Sequence, residues 1–319
     1  MTAVSTNSLE QAFAHHERQL WGLCYRMTGC AADADDLVQD TFARALAHPP
    51  ADTTRPWHPW LVRVSVNLAT DCLRRRKRRG YTGPWLPSPI PTEDDPPAHE
   101  PILTNADGQP VTSEHRYDLL ESVSFAFLLA LEALSPRQRA VLLLRDVFDY
   151  TVRETADALG MSAANVKVSH LRARRAMATY DRERARVTPA RQHATREALQ
   201  RLMVAMRGDD VHAIETLLAD DVRALSDGGG SFHAARLPVI GRAKAARFFW
   251  NIARRNLDRA DASVQVTNGY AAMLLVLTDP RPDEPSRVLF TCDLGTDGRV
   301  RRIYSVLAPR KLTAIHARA

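Results

Sequence analysis

VRETADALGMSAANVKVSHLRARRAMATY, residues 152–180, is the stretch whose reading decides the fold. VRETADAL has apolar residues at helical spacing and reads as a short amphipathic helix. GMS is a tight turn. AANVKVSHLRARRAMATY reads as a second helix, bearing Lys167, Arg172, Arg174 and Arg175. Ala156 is small where two helices would cross, Leu159 and Val166 fill the space between them, and Gly160 supplies the turn. A generic pair of antiparallel helices would show the same apolar spacing. The cationic second helix favours a helix-turn-helix whose recognition helix enters a DNA major groove. Ser162, Ala163, Asn165, Lys167, Val168 and His170 would then reach base edges, while Arg172, Arg174 and Arg175 would meet phosphates.

About eighty residues upstream stands a second cationic cluster, the six consecutive basic residues Arg74–Arg79. A helix end attracts cations through its dipole, so a solvated helix terminus is the plain reading. Six in succession exceed what capping requires, and Trp57, Trp60 and Tyr81 lie near enough in sequence to stack on exposed bases. The two clusters together predict a two-point grip on nucleic acid.

Organisation follows from these anchors. Residues 8–80 read as helices: LEQAFAHHERQLWGLCYRM, then ADDLVQDTFARALAH with Asp33 as N-cap, then WLVRVSVNLATDCLRRRKRR, separated by the Pro-rich loop PPADTTRPWHP. Residues 81–114 are Pro-rich and acidic without periodicity, and predict an extended, polyproline-like linker. Residues 115–186 return to helix, with Ser135-Pro136 capping one near Arg137. Residues 190–319 predict two short helices, a strand at 221–226, the helix GRAKAARFFWNIARRN, and strands at 262–268, 270–278, 286–294 and 299–307. That order suggests a small α+β domain with a curved antiparallel sheet.

The totals exclude several classes. The chain has 319 residues, 45% hydrophobic, with a net charge of +6, which suits two or three globular domains with uneven cationic surface. Cys24, Cys30, Cys72 and Cys292 form no CxxC or Cys/His cluster and read as free thiols in a reducing compartment. The first twenty residues lack a cationic stretch followed by an apolar one, and no apolar run reaches about 18 residues, so neither a signal peptide nor a membrane span is expected. A cytoplasmic protein is expected. No phosphate-cradling GxxxxGK(S/T) or GxGxxG is present, and His15, His16, His170, His212 and His233 are too scattered to hold a metal, so no metal or cofactor is expected. Asp33, Asp35, Asp36 and Asp40 suit a helix's first turn, or line a surface for a basic protein partner. DGGGS, residues 227–231, is either a strand-end turn or backbone that lets another segment come close.

The order of these segments resembles the bacterial extracytoplasmic-function (group IV) RNA polymerase sigma factors, over about residues 8–185. DADDLVQDTFARAL resembles their polymerase-binding helix of region 2. RPWHPWLVRVSVNLATDCLRRRKRR resembles the helix that melts and reads the −10 element, and LSPRQRAVLLLRDVFDYTVRETADALGMSAANVKVSHLRARRAM resembles region 4, the −35 reader. The rest resembles the subgroup with a fused SnoaL-like (nuclear transport factor 2-like) domain, whose WLPEP-type, DGGGK-type and NPDKL-type patterns stand here as WLPSP (85–89), DGGGS (227–231) and APRKL (308–312). Ser88 and Ser231 replace that subgroup's Glu and Lys, so the charged groups of its linker–loop salt bridge are not at these two positions.

The resemblance implies a multidomain chain: two all-α sigma domains, region 2 at 8–80 and region 4 at 115–186, and a C-terminal α+β SnoaL-like cone at 190–319. It implies no reaction chemistry. Core RNA polymerase, through its β′ clamp and β flap, and promoter DNA are the implied partners, with room for an unknown small ligand in the cone. Asp33, Asp36, Leu37, Gln39 and Asp40 would bind polymerase. Thr54, Arg55, Trp57, Asn67, Asp71, Arg74, Arg75, Arg76 and Arg78 would meet −10 DNA, where unstacked bases enter a pocket in the loop Thr53–His58. Trp85, Leu86, Pro87, Asp227, Gly228, Gly229 and Gly230 would couple the C-terminal domain to the linker and regulate the sigma factor in cis. Glu93, Asp94 and Asp95 would run near the polymerase's template channel. Two alternatives remain open: a ligand-responsive helix-turn-helix regulator, and a sigma-like protein fused to an isomerase- or cyclase-type domain using Asp227, His233 or Asp293 for proton transfer.

Overall fold

A computed structural model describes residues 6–50, 52, 56–92, 117–184, 186–232 and 234–316, with side chains from Phe13 onward. They fall into two compact units. One takes in the residues up to Arg79 and those of 117–184; the other takes in Gly80–Thr92 and Arg186 onward.

The first unit is helical. α1 (Thr6–Thr28), α2 (Ala31–Ala47) and α3 (His58–Arg79) bury Leu20, Leu23, Cys24, Met27, Leu37, Phe42, Leu61 and Val66 among them. α2 begins two residues before Asp33, with Cys30 at the N-cap and no side-chain cap; Asp33 sits in the first turn, where the dipole favours a carboxylate. α4 (Leu119–Val123) and α5 (Phe125–Ala130) are capped by Asp118 and Ser124. α6 (Pro136–Asp146) opens with a reciprocal capping box between Ser135 and Gln138 and with Pro at its first position, which loses no hydrogen bond there. Buried arginines tie these helices to α1: Arg26 Nε donates to Ser122 Oγ at 2.7 Å, and Arg139 donates to the Met27 carbonyl at 2.7 Å.

The helix-turn-helix itself is α7 (Val152–Leu159) and α8 (Ala163–Ala176). Thr151 and Glu154 form a second capping box at the start of α7. Gly160 ends it at φ 60°, the left-handed conformation in which glycine carries no Cβ penalty. Ser162 then caps α8 by accepting from the Asn165 amide. Val141, Ala156 and Val166 form the small core between α6, α7 and α8, with Leu159 packed against it. α9 (Ala178–Glu183) follows and ends the unit.

The second unit is α+β. α10 (Pro189–Arg207) and α11 (Val211–Leu217) lead into β1 (Leu218–Asp227). β2 (Val239–Ile240) and α12 (Arg242–Asn256) follow, then β3 (Ala260–Thr267), β4 (Tyr270–Leu277), β5 (Arg287–Leu294) and β6 (Val300–Val306). The strand order is β2-β1-β6-β5-β4-β3. The expected antiparallel sheet is mixed, because β1 pairs parallel with β6 while every other pair is antiparallel. The helical segment between β1 and the later strands supplies the crossover that a parallel pair needs. Leu199, Leu202, Ile214, Val222, Phe249, Met273, Phe290 and Ile303 are among the residues of the core between the helices and the sheet.

The linker departs most from its expectation. Residues 80–92 belong to the second unit, and Leu86, Pro87 and Ile90 are buried there. Ile90 and Asn268 exchange hydrogen bonds, Ile90 N to Asn268 Oδ1 at 2.9 Å and Asn268 N to the Ile90 carbonyl at 3.0 Å. Pro91 pairs with Thr267 as an isolated bridge. Prolines keep this segment extended and its apolar side chains keep it docked, so it is not a free spacer. The remaining linker positions, Glu93, Asp94 and Asp95 included, lie outside the described residues.

Candidate nucleic-acid interface

α8 has one inward and one outward face. Val166 and Ala173 are fully buried; Ser162, Ala163, Asn165, Lys167, Val168, Arg172 and Arg175 are exposed. Two of the nine candidates do not share that outward face. His170 Nε2 lies 2.8 Å from Asp146 Oδ1, and Arg174 pairs with the other oxygen of Asp146 at 3.5 Å. Helical spacing accounts for this. Positions 166, 170, 173 and 177 lie on one face, so His170 and Arg174 point towards α6 and a carboxylate waiting there. Beside the outward face, Asn165, Val168 and Arg172 line a cleft of about 250 Å³ with Ser135, Arg137 and Gln138 from the N-terminus of α6. That N-terminus and Arg137 suit a phosphate, a feature that helical spacing alone does not reveal.

The candidates on and before α3 also divide. Asn67, Asp71, Arg74, Arg75 and Arg78 are exposed. Asn67, Asp71 and Arg74 line a cavity of about 650 Å³ with Pro136, Arg137, Ala140 and Leu159 of the same unit. Arg76 is occupied instead: it donates to the Thr28 carbonyl at 3.0 Å and pairs with Glu132 at 2.5 Å. Trp57 is buried against Trp60, with ring centroids 6.3 Å apart, and packs the start of α3. Thr54 and Arg55 lie outside the described residues. Arg63, not foreseen, donates to the Asp157 carbonyl at 2.7 Å and holds the C-terminal turn of α7.

On α2, Asp36, Gln39 and Asp40 are exposed and point away from the unit's core, while Leu37 is a core residue. Asp33 accepts from the Cys72 thiol at 3.7 Å. All four cysteines are free; burial pushes Cys24 to about 12 and Cys72 to about 11, which keeps both thiols protonated and unreactive. His58 is buried beside His16 and Tyr150, and burial first, then the neighbouring histidines, lower its pKa to about 4.

In the second unit the DGGGS loop is built around one carboxylate. Asp227 is fully buried. It accepts from Tyr81 Oη at 2.6 Å, the Leu86 amide at 2.7 Å, the Gly229 amide at 2.9 Å and Lys311 Nζ at 2.6 Å. Lys311 also donates to the Leu86 carbonyl and lies over the rings of Tyr81 and Trp85, 4.7 and 4.5 Å from their centroids. Tyr81 is therefore engaged here and not free to stack on bases. The loop is packed closely: a Cβ on Gly228 would meet the Phe232 carbonyl at 2.8 Å, and one on Gly229, at φ +62°, would meet Ala308 Cβ at 2.8 Å. Gly230 is exposed. Lys311, from the APRKL stretch, supplies the cation that Ser231 does not.

Two of the proton-transfer candidates, Asp227 and Asp293, are held by protein groups. Both oxygens of Asp227 are bonded, and Asp293, half-buried with its pKa raised by desolvation, accepts from Tyr304 Oη at 2.7 Å. His233 lies outside the described residues. Among the described residues no group of three His, Cys, Asp or Glu side chains is arranged to hold a metal, and no helix is long and apolar enough to cross a membrane.

Comparison with known proteins agrees with this layout. The family model for Sigma-70 region 2 matches residues 12–79, and that for Sigma-70, region 4 matches residues 124–177. The extracytoplasmic-function (ECF) RNA polymerase sigma factor SigJ of Mycobacterium tuberculosis (strain ATCC 25618 / H37Rv) is 30% identical over 311 residues, 93% of this chain and 90% of that one. SigG of the same species (strain CDC 1551 / Oshkosh) is 34% identical over 235 residues, 70% of this chain and 63% of SigG. The crystal structure of M. tuberculosis SigJ matches with a TM-score of 0.66 at 26% identity, covering 96% of this chain and 98% of that one. With a sigma relative matched along nearly its whole length and a helix-turn-helix inside the region 4 match, this chain belongs to the extracytoplasmic-function RNA polymerase sigma factors, which bind RNA polymerase and direct transcription from promoters.

Proposed function

We propose that α8 reads the −35 element and the exposed face of α3 meets −10 DNA, while Asp36, Gln39 and Asp40 on α2 bind the β′ clamp and region 4 binds the β flap. The observation that carries the DNA assignment is the outward face of α8. Asn165 offers amide donor and acceptor, Lys167, Arg172 and Arg175 are exposed cations, and a capped, cored helix pair presents them together. His170 and Arg174 position α8 through Asp146 instead of touching bases. The protein acts in the cytoplasm, where polymerase is.

The C-terminal domain regulates this activity in cis through the linker. Support comes from the Asp227–Lys311 pair, which binds Leu86, a short way beyond the end of α3. A small ligand would find about 240 Å³ beside the same loop, lined by Thr82, Gly83, Ser226, Gly228 and Phe232. Run-off transcription with core polymerase tests both parts. Lys167→Ala should change the preferred −35 sequence, a good base contact being worth about 1–3 kcal/mol. Removing residues 190–319 should change promoter-dependent initiation while core binding persists. Equal loss on every −35 sequence would reduce Lys167 to a phosphate contact; equal initiation from full-length and truncated protein would reject regulation in cis.

A further inference from the structure

The outward ridge of α8 is apolar at its centre. Ala164, Val168, Leu171 and Arg175 follow i, i+4, i+7 and i+11 spacing and so share one face. Val168 is 48% exposed and Leu171 52%. Lys167 flanks this ridge on one side, Asn165 and Arg172 on the other, and the opposite face, through Val166 and Ala173, is seated on α6 and α7. A single exposed aliphatic residue is ordinary. Two adjacent ones, at the middle of a face whose edges are cationic and amide-bearing, match a partner that is anionic at its margins and apolar at its centre.

A DNA major groove has that pattern. Phosphates border it, base edges offer hydrogen bonds, and the thymine 5-methyl is its apolar group. Val168 and Leu171 are three residues apart, about 4.5 Å along the helix, against about 3.4 Å between successive base pairs. We propose that Val168 and Leu171 read thymine 5-methyl groups at neighbouring positions of the −35 element. This rests on the assignment of α8 as the −35 reader and adds the chemical group it selects.

The test uses holoenzyme assembled from the full chain and core polymerase. A promoter library randomised through the −35 element is selected by transcription, and each thymine of the winning element is then replaced by deoxyuridine, which removes only the methyl. With the unaltered protein, deoxyuridine at one or two positions should lower initiation about fourfold each, the roughly 0.8 kcal/mol of one methyl-sized group. Val168→Ala and Leu171→Ala, both at exposed helical sites that alanine suits, should lower initiation on the thymine promoter and respond no further to deoxyuridine at the matching position. A selected element without thymine overturns the proposal. So does equal activity on thymine and deoxyuridine promoters. So does an equal loss by the alanine variants on both, which would assign the ridge to a protein partner. Lys167→Ala and Arg172→Ala separate the two levels. If they shift −35 preference while the methyl coupling is absent, only this inference fails; if no variant on α8 shifts preference, the assignment of α8 itself fails.

Discussion

Asp227 and Lys311 form the most buried ion pair described in the C-terminal unit, with side chains 0% and 6% exposed. Removing one partner of such a pair leaves a charge stranded in a medium that cannot solvate it, at a cost of about 3–5 kcal/mol. Lys311→Met keeps the length of the side chain and deletes the charge, so it should lower the unfolding midpoint of the C-terminal unit. It should also speed hydrogen exchange at the Leu86 amide, whose acceptor is Asp227. An unchanged exchange rate at Leu86 would show that the linker is held by apolar burial alone. Gly229 answers to geometry instead of charge. A side chain there meets Ala308 at once and must adopt a positive φ, so Gly229→Val should loosen the same region while both charges of the ion pair are kept.

At the scale of elements, α3 carries six consecutive cations that serve two ends. Arg75 and Arg78 are exposed, whereas Arg76 is bonded to Thr28 and Glu132. Neutralising Arg75 and Arg78 should therefore flatten the salt dependence of promoter binding by roughly one log–log unit for each phosphate left without its cation. Arg76→Gln should leave that slope in place and lower the thermal stability of the helical unit. The histidines between α1, the start of α3 and the loop before α7 give that unit an acid limit. His58 faces His16 on α1 and Tyr150 before α7, with His15 beyond His16 and Glu154 acting on Tyr150. Its folded pKa of about 4 is below the unfolded value of 6.5, so the unfolded chain binds the proton more readily. Stability is full above pH 6.5 and falls as the pH drops towards 4; from pH 7 to pH 5 the loss from His58 is about 2 kcal/mol. His58→Gln should remove that part of the slope, read as the difference in melting temperature between the two pH values.

Across the whole molecule, chain order and spatial grouping disagree. Gly80 directly follows the last residue of α3 yet groups with the C-terminal unit, together with the rest of 80–92. Truncation after residue 189 consequently removes more than the C-terminal helices and strands, because it also strips the surface that buries Leu86 and Ile90. The truncated protein should show rapid proteolysis within residues 80–92, whereas the full chain should resist it. Equal cleavage in both would mean that the segment is held by something other than the C-terminal unit. Lys311→Met in the full chain is the gentler comparison, since it weakens one anchor and leaves the apolar ones.

Local rules reached as far as local causes do. The capping pattern Ser135-Pro136, the turn glycine Gly160 and the spacing of Ala156, Leu159 and Val166 act within a few residues, so the helix-turn-helix was legible in the chain before any packing was known. The cationic clusters and the succession of strands in the C-terminal domain were legible for the same reason, apart from β2, too short to carry a pattern. Helical spacing turns His170 and Arg174 inward, but tertiary structure decided which charges find a carboxylate partner. His170, Arg174 and Arg76 look like their neighbours in sequence, but Asp146 and Glu132, brought from elsewhere in the helical unit, pair with them. The parallel pairing of β1 with β6 depends on a crossover whose hand and register no single strand encodes. The linker's docking depends on Asp227 and Lys311, which stand 84 residues apart and meet Leu86 only once the sheet has formed. Long-range electrostatics in a buried place are a property of the assembled fold, and periodicity, which reports neighbours at three or four residues, has no access to them.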